Sequence, residues 1–159
     1  MAIHARFVHT NLVARDWKML AAFYERVLGC TPVLPERALA GPWLEKSTSV
    51  PGAQVRGMHL RLPGYGNDGP TLEIFQYNRQ REPLQTAPNR PGFAHIAFAV
   101  EDVQAARDAI VAAGGGVVGE LVRAEIPGAG TIAFVYVTDP EGNIIELQHW
   151  LRSDRIAQE

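Results

Sequence analysis

His95-Ile-Ala-Phe-Ala-Val-Glu-Asp102 decides the reading of this chain, because its spacing also occurs earlier, as His9-Thr-Asn-Leu-Val-Ala-Arg-Asp16. In both copies a His stands seven residues before an Asp that opens an amphipathic helix. Asp is suited to that place, since its carboxylate accepts the free N–H groups of a first helical turn. After Asp16, Leu20, Phe23, Tyr24, Val27 and Leu28 form one apolar stripe, and Gly29 is placed to end the helix in a left-handed conformation. After Asp102 the stripe is Val103, Ala106, Ile110 and Ala113, followed by Gly114. Each copy leads on to a Glu between apolar neighbours, Leu72-Glu73-Ile74 and Ile145-Glu146-Leu147. A duplicated strand–helix–strand unit that supplies one His and one Glu per copy is a pattern for a divalent metal site on a pseudo-twofold axis.

The remaining strands follow from alternation and turn signals. The first half predicts strands over 6–14, 31–34, 56–62 and 71–77, with an irregular excursion over 35–55. The second predicts strands over 93–100, 116–123, 131–138 and 143–149. Asp139-Pro-Glu-Gly-Asn143 reads as a turn, with Pro fixing φ and Gly permitting a positive one. Each half is therefore β-α-β-β-β: module 1 over 5–77, module 2 over 93–149. The polar, proline-containing stretch 78–92 is the linker, and 150–159 is a tail.

Strand parity tests whether the His and Glu residues belong together. Val8 and Leu12 oppose Phe7, His9, Asn11 and Val13; Leu72 and Ile74 oppose Thr71, Glu73, Phe75 and Tyr77. In the second half Ile96, Phe98 and Val100 oppose His95, Ala97 and Ala99, while Ile145 and Leu147 oppose Glu146 and Gln148. Every candidate ligand thus lies away from the aliphatic set that packs under a helix. A carboxylate within an apolar strand is costly to bury unpaired, and two Glu with two His satisfy one another through a cation. His59 and Arg61 share a parity opposite Met58, Leu60 and Leu62. They are candidate partners for a substrate carboxylate, Arg61 by a bidentate contact. Asn11, Phe75 and Tyr77 are further candidates for the pocket lining. Trp43 and Leu44 are candidates for a lid or an interface, while His4 and His149 look incidental.

Composition narrows the function classes. The chain has 159 residues, 47% apolar and 20% charged, with a net charge of −2, an ordinary soluble globular composition. No basic run marks a nucleic-acid or membrane surface. No segment reaches the roughly 20 apolar residues of a membrane span. The N-terminal residues lack the order of a secretion signal. Cys30 is the single cysteine, so no internal disulfide forms, and a reducing, cytoplasmic setting is expected.

His9 to Asp16, Phe23-Tyr-Glu-Arg-Val-Leu-Gly29, Leu72-Glu73-Ile74, Gly92-Phe-Ala-His95 to Asp102 and Asp139 to Leu147 together resemble the vicinal oxygen chelate superfamily. That group includes glyoxalases, methylmalonyl-CoA epimerases, extradiol dioxygenases and antibiotic-resistance proteins. The resemblance implies one α+β glyoxalase-like domain over 1–159. Its two modules form a U-shaped, partly open mixed β-barrel with the helices outside. It implies one divalent ion per chain (Ni, Co, Mn, Fe or Zn) held by His9, Glu73, His95 and Glu146. Two positions then stay open for vicinal oxygens of a small substrate. The ion polarises a carbonyl while a proton leaves the adjacent carbon through an enediolate or enolate, with Glu73 or Glu146 as the base. A homodimer is the assembly the resemblance suggests.

Departures from the pattern restrict the branch. Metal-dependent glyoxalases carry an Arg four residues after the first His and an Asn four after the first Glu to hold glutathione. Here those positions are Val13 and Tyr77, which argues against that carrier. Methylmalonyl-CoA epimerases have Gln at the place of Glu73, His at that of Ala94, and an extra base for which Glu45 is the candidate. A fourth ligand at Glu73 argues against ring-cleaving dioxygenase chemistry. The expectation is a metal-dependent isomerase, epimerase or lyase. The alternative is a metal-free protein of the same fold that sequesters an aromatic compound or antibiotic.

Overall fold

In the computed structural model, which describes residues 3–151, Asp16 caps α1 (Trp17–Leu28) as its spacing predicts. Its Oδ1 accepts from the N–H groups of Lys18 and Met19, each at 3.1 Å. Gly29 closes the helix at φ 70°, a conformation that would strain any residue with a Cβ. Trp17, Leu20, Ala21, Phe23 and Tyr24 are buried, and α1 lies on β3 (Gln54–Arg61) and β4 (Thr71–Tyr77). Asp102 caps α3 (Val103–Ala112) in the same way, accepting from Ala105 N–H at 3.0 Å. Helix α3 buries Val103 and Ile110 over β8 (Gly130–Thr138) and β9 (Ile144–Leu151).

The chain divides into two units, the first up to Pro83 and the second from Leu84. Unit 1 holds a mixed sheet in the order β1-β4-β3-β2, where β1 is His9–Val13 and β2 is Thr31–Ala40. β1 runs parallel to β4; the other two pairings are antiparallel. Unit 2 repeats the scheme as β5-β9-β8-β6, with β5 His95–Ala99 parallel to β9, β6 Gly116–Val117, and β7 (Val122–Ile126) also on β8. Among the described residues the fold is thus three helices and nine strands in two mixed sheets rather than one closed barrel, an α+β arrangement. The helix-side faces carry the core: Leu60, Leu72 and Ile74 in unit 1, Val135, Val137, Ile145 and Leu147 in unit 2.

Several expectations change in detail. β2 continues to Ala40 instead of stopping near Leu34, and the excursion holds a short helix, α2 (Pro42–Thr48). Leu44 of α2 is buried with Ala53 and Val55, so it is core, while Trp43 beside it is exposed. The strand expected over 116–123 is two strands, β6 and β7. The linker is fastened at both ends. Gln80 Nε2 donates to the Ala14 carbonyl at 2.5 Å in unit 1, and Thr86 Oγ1 donates to the Gly142 carbonyl at 2.7 Å in unit 2. Of the tail, Trp150 and Leu151 belong to β9, and 152–159 lie outside the described residues. No helix among the described residues is long and apolar enough to cross a membrane.

Candidate metal and substrate site

Each sheet presents its His and Glu on the face turned away from its helix. In unit 1 the register sets Glu73 of β4 between Asn11 of β1 and His59 of β3. Cross-strand partners point to the same side of a sheet, and the contacts follow. Asn11 Nδ2 donates to Glu73 Oε2 at 2.8 Å, and His59 Nε2 lies 3.0 Å from Glu73 Oε1. His9 Nε2 is 3.7 Å from Oε2. The second nitrogen of His59 is also engaged, 3.1 Å from Thr71 Oγ1. The His59 ring meets those of His9 and Phe75 edge-on, at 5.6 and 5.9 Å. Withdrawal from water pulls the His59 imidazole below its ordinary value; Glu73 opposes this, and the charges of Arg37 and His9 add to it.

Unit 2 repeats the frame with different side chains. Glu146 of β9 lies between Ala97 of β5 and Tyr136 of β8. His95 Nε2 is 3.0 Å from Glu146 Oε2, and the Tyr136 ring lies 5.1 Å from that of His95. Burial, then the charge of Glu146 and a hydrogen bond to it, pushes the Tyr136 phenol above its ordinary range. Its proton therefore stays in place as a donor. The loop before β9 is fixed by Asp139, which is 1% exposed. Asp139 Oδ1 accepts from Glu141 and Asn143 N–H at 2.9 and 3.0 Å, and Oδ2 accepts from Asn143 Nδ2 at 2.8 Å.

The structure thus brings His9 to Glu73 and His95 to Glu146, each pair within its own unit. Among the described residues no three of His, Cys, Asp or Glu are grouped in metal-holding geometry. The donor chemistry fits a divalent transition ion nonetheless: the His Nε2 atoms face carboxylates whose side chains are only 14% and 13% exposed, a mixed imidazole and carboxylate set. Asn11 and His59, expected to hold substrate, are turned to Glu73 instead. Arg61 shares the face of His59, and its Nε is buried without a hydrogen-bond partner. Phe75 and Tyr77 pack against the Leu44, Ala53 and Val55 cluster, so both are wall as much as lining. Glu45 sits on α2, off the strands that carry His9, His59 and Glu73. His149 has the helix-side parity and bonds the Val100 carbonyl at 2.9 Å. The sequence reading missed Tyr136 and Arg37. Counting back from the Asp139 turn would have found Tyr136, since Thr138 pairs with Ile144 and two steps further Tyr136 meets Glu146.

Comparison with known proteins agrees with this frame. The family model for the glyoxalase/bleomycin resistance protein/dioxygenase superfamily matches residues 6–147. A probable lactoylglutathione lyase of Vibrio parahaemolyticus is 38% identical over 91 residues, 55% of this chain and 60% of that protein, so the match spans less than two thirds of the relative. A glyoxalase family protein from Bacillus cereus superposes with a TM-score of 0.72 at 21% identity, over 96% of this chain and 97% of that one. A glyoxalase/bleomycin resistance/dioxygenase domain from Frankia superposes at 0.60 with 18% identity, over 94% and 100%. Two units built on one sheet scheme, each with a His and a Glu facing one another, and a family match across nearly the whole chain lead to one conclusion: this chain belongs to the glyoxalase/bleomycin resistance protein/dioxygenase superfamily.

Proposed function

We propose that the chain is a metal-dependent isomerase, epimerase or lyase of the glyoxalase type, acting on a small compound with adjacent oxygens. The observation that supports this most is the pairing of one His Nε2 with one largely shielded Glu in each unit, His9 with Glu73 and His95 with Glu146. These four side chains are the proposed ligands of one divalent ion per chain. When bound, such an ion supplies Lewis-acid stabilisation of negative charge on a substrate oxygen. The chain's own groups then move the proton. A carboxylate, Glu73 or Glu146, takes it from the carbon beside the carbonyl and returns it to the product. Around Glu73, His59 and Asn11 hold both oxygens in place; beside Glu146, the Tyr136 hydroxyl stands as a donor. Arg61, Phe75 and Tyr77 are the proposed substrate contacts, with Asn11 and His59 reaching substrate through Glu73.

The Vibrio relative is named a lyase, which supports the reaction type. Val13 and Tyr77 argue against glutathione as carrier. A cytoplasmic homodimer is the setting we propose.

A second reading has an observation of its own. The site face of unit 2 carries an aromatic pair, Phe134 and Tyr136, with rings 5.8 Å apart, a surface suited to a flat ligand that is bound and not transformed. Elemental mass spectrometry of the untagged protein separates the two. About one transition metal per chain, lost in His95→Ala and weakened in Glu73→Gln, is the expected result. A protein that takes up no divalent ion even after reconstitution would overturn the enzymatic reading and leave the binding one.

A further inference from the structure

The site face of unit 1 is cationic, and the reason lies in an irregularity of β2. Pro35 has no N–H to give to a ladder, and two extra residues enter β2 between the pairs Val33–His59 and Arg37–Gly57. After this bulge Arg37 stands opposite Gly57, on the same side of the sheet as Val33 and His59. Gly57 has no side chain to compete for the space, and a Cβ there would meet the Ile74 carbonyl and the Phe75 ring. Arg37 therefore lies one row from Glu73 toward α2, and Arg61 one row away on the other side. Arg37 is half-buried, and its Nη1 donates to the carbonyl of Pro35, which anchors the guanidinium to the bulge. Among the described residues no carboxylate forms an ion pair with Arg37 or Arg61. The charge of Arg37 reaches His59. In unit 2 the rows flanking Glu146 hold His95, Ile144, Thr138 and Gly116 on one side and Ala99, Gln148, Phe134 and Val122 on the other, with no Arg or Lys. The duplication has kept the frame and charged one half of it.

We infer that Arg37 is a specificity-determining residue that binds a substrate carboxylate separate from the vicinal oxygens, so that the substrate is a small oxo or hydroxy acid with a second, distal acid group. The inference rests on the proposed function for placing the reacting carbon at Glu73. Rows on one face are about 7 Å apart. Two or three bonds between the reacting carbon and the carboxylate span roughly half of that, and the long Arg37 side chain covers the rest. A planar guanidinium with one edge already held by Pro35 presents its remaining donors as a fork suited to a carboxylate.

The test compares binding of 2-oxoglutarate with that of 2-oxopentanoate, which has the same carbon chain without the distal acid. Titration calorimetry on the full chain, as purified and after addition of Mn²⁺, gives both affinities. The expected preference for 2-oxoglutarate is roughly 10- to 100-fold, the loss typical of a charge-assisted pair. It disappears in Arg37→Gln and survives in part in Arg37→Lys, which keeps the charge without the fork. Thermal melts confirm that each variant is folded. Equal affinities in the unaltered chain, a preference that persists in Arg37→Gln, loss with Arg61→Gln alone, or no binding of 2-oxoglutarate in the millimolar range would each overturn the inference. Failure of the metal reading shows separately, as affinities that Mn²⁺ leaves unchanged.

Discussion

Replacing Asp139 by Ala tests the account of how Glu146 is positioned. The Asp139 carboxylate is buried and accepts hydrogen bonds from Glu141 N–H, Asn143 N–H and Asn143 Nδ2. Bonds to a charged acceptor contribute about 1.5–3 kcal/mol each, which makes their plain sum an upper bound. The two backbone donors sit in a partly buried turn that water reaches once the carboxylate is gone, so the low end applies. The expected loss for Asp139→Ala is about 3–5 kcal/mol. For a chain of this length that lowers the melting temperature by roughly 10–15 °C. Asp139→Asn separates the components. Its carbonyl oxygen still accepts from both backbone N–H groups, but its amide faces the Asn143 amide donor to donor. A loss of about 1–2 kcal/mol is expected there. Urea unfolding followed by circular dichroism gives both values. If Asp139→Ala costs less than about 0.5 kcal/mol, the range of ordinary surface substitutions, the turn does not depend on this carboxylate and the argument fails.

Two further outcomes follow from the same chemistry. His59 is held below the ordinary value of 6.5, by desolvation first, so the unfolded chain takes up a proton at a higher pH than the folded one. Stability of the metal-stripped protein therefore falls as pH drops through 6.5 toward the folded value, and is retained above it; urea midpoints between pH 5 and 8 should show a shallower acid loss in His59→Gln. Burial and the charge of Glu25 push the Cys30 thiol up to about 12, so a thiol reagent at pH 8 should label the native protein slowly and the urea-unfolded protein at once. Equal labelling rates would contradict the burial of Cys30.

What could be read in the sequence depended on local rules. Asp16 and Asp102 cap their helices because a short acceptor before an apolar stripe has one favourable use, and that needs no tertiary knowledge. Parity set His9, Glu73, His95 and Glu146 on the proper faces for the same reason. What escaped depends on which strands are neighbours. That His59 and Asn11 turn to Glu73 follows from the β1-β4-β3 order, which no single strand encodes. The expected strand ended near Leu34, before Pro35, yet β2 is an edge strand, where a missing donor costs little, so it runs on to Arg37 and Ala40. Helix α2 is short, and its stability comes from Leu44 in the Ala53 and Val55 cluster more than from its own periodicity.

The irregular β2 also decides where the sheet of unit 1 is able to grow. A sheet border recruits another strand by offering a regular row of N–H and C=O groups. Along β2, Pro32 and Pro35 remove donors, and the bulge throws the row out of step. That border is a poor template for another strand. β1, on the opposite border, contains no proline and runs in regular register from His9 to Val13. Within this sheet, β1 offers the more regular row of N–H and C=O groups. The same bulge that carries Arg37 to its place thus also makes the β2 border a poor site for growth of the sheet.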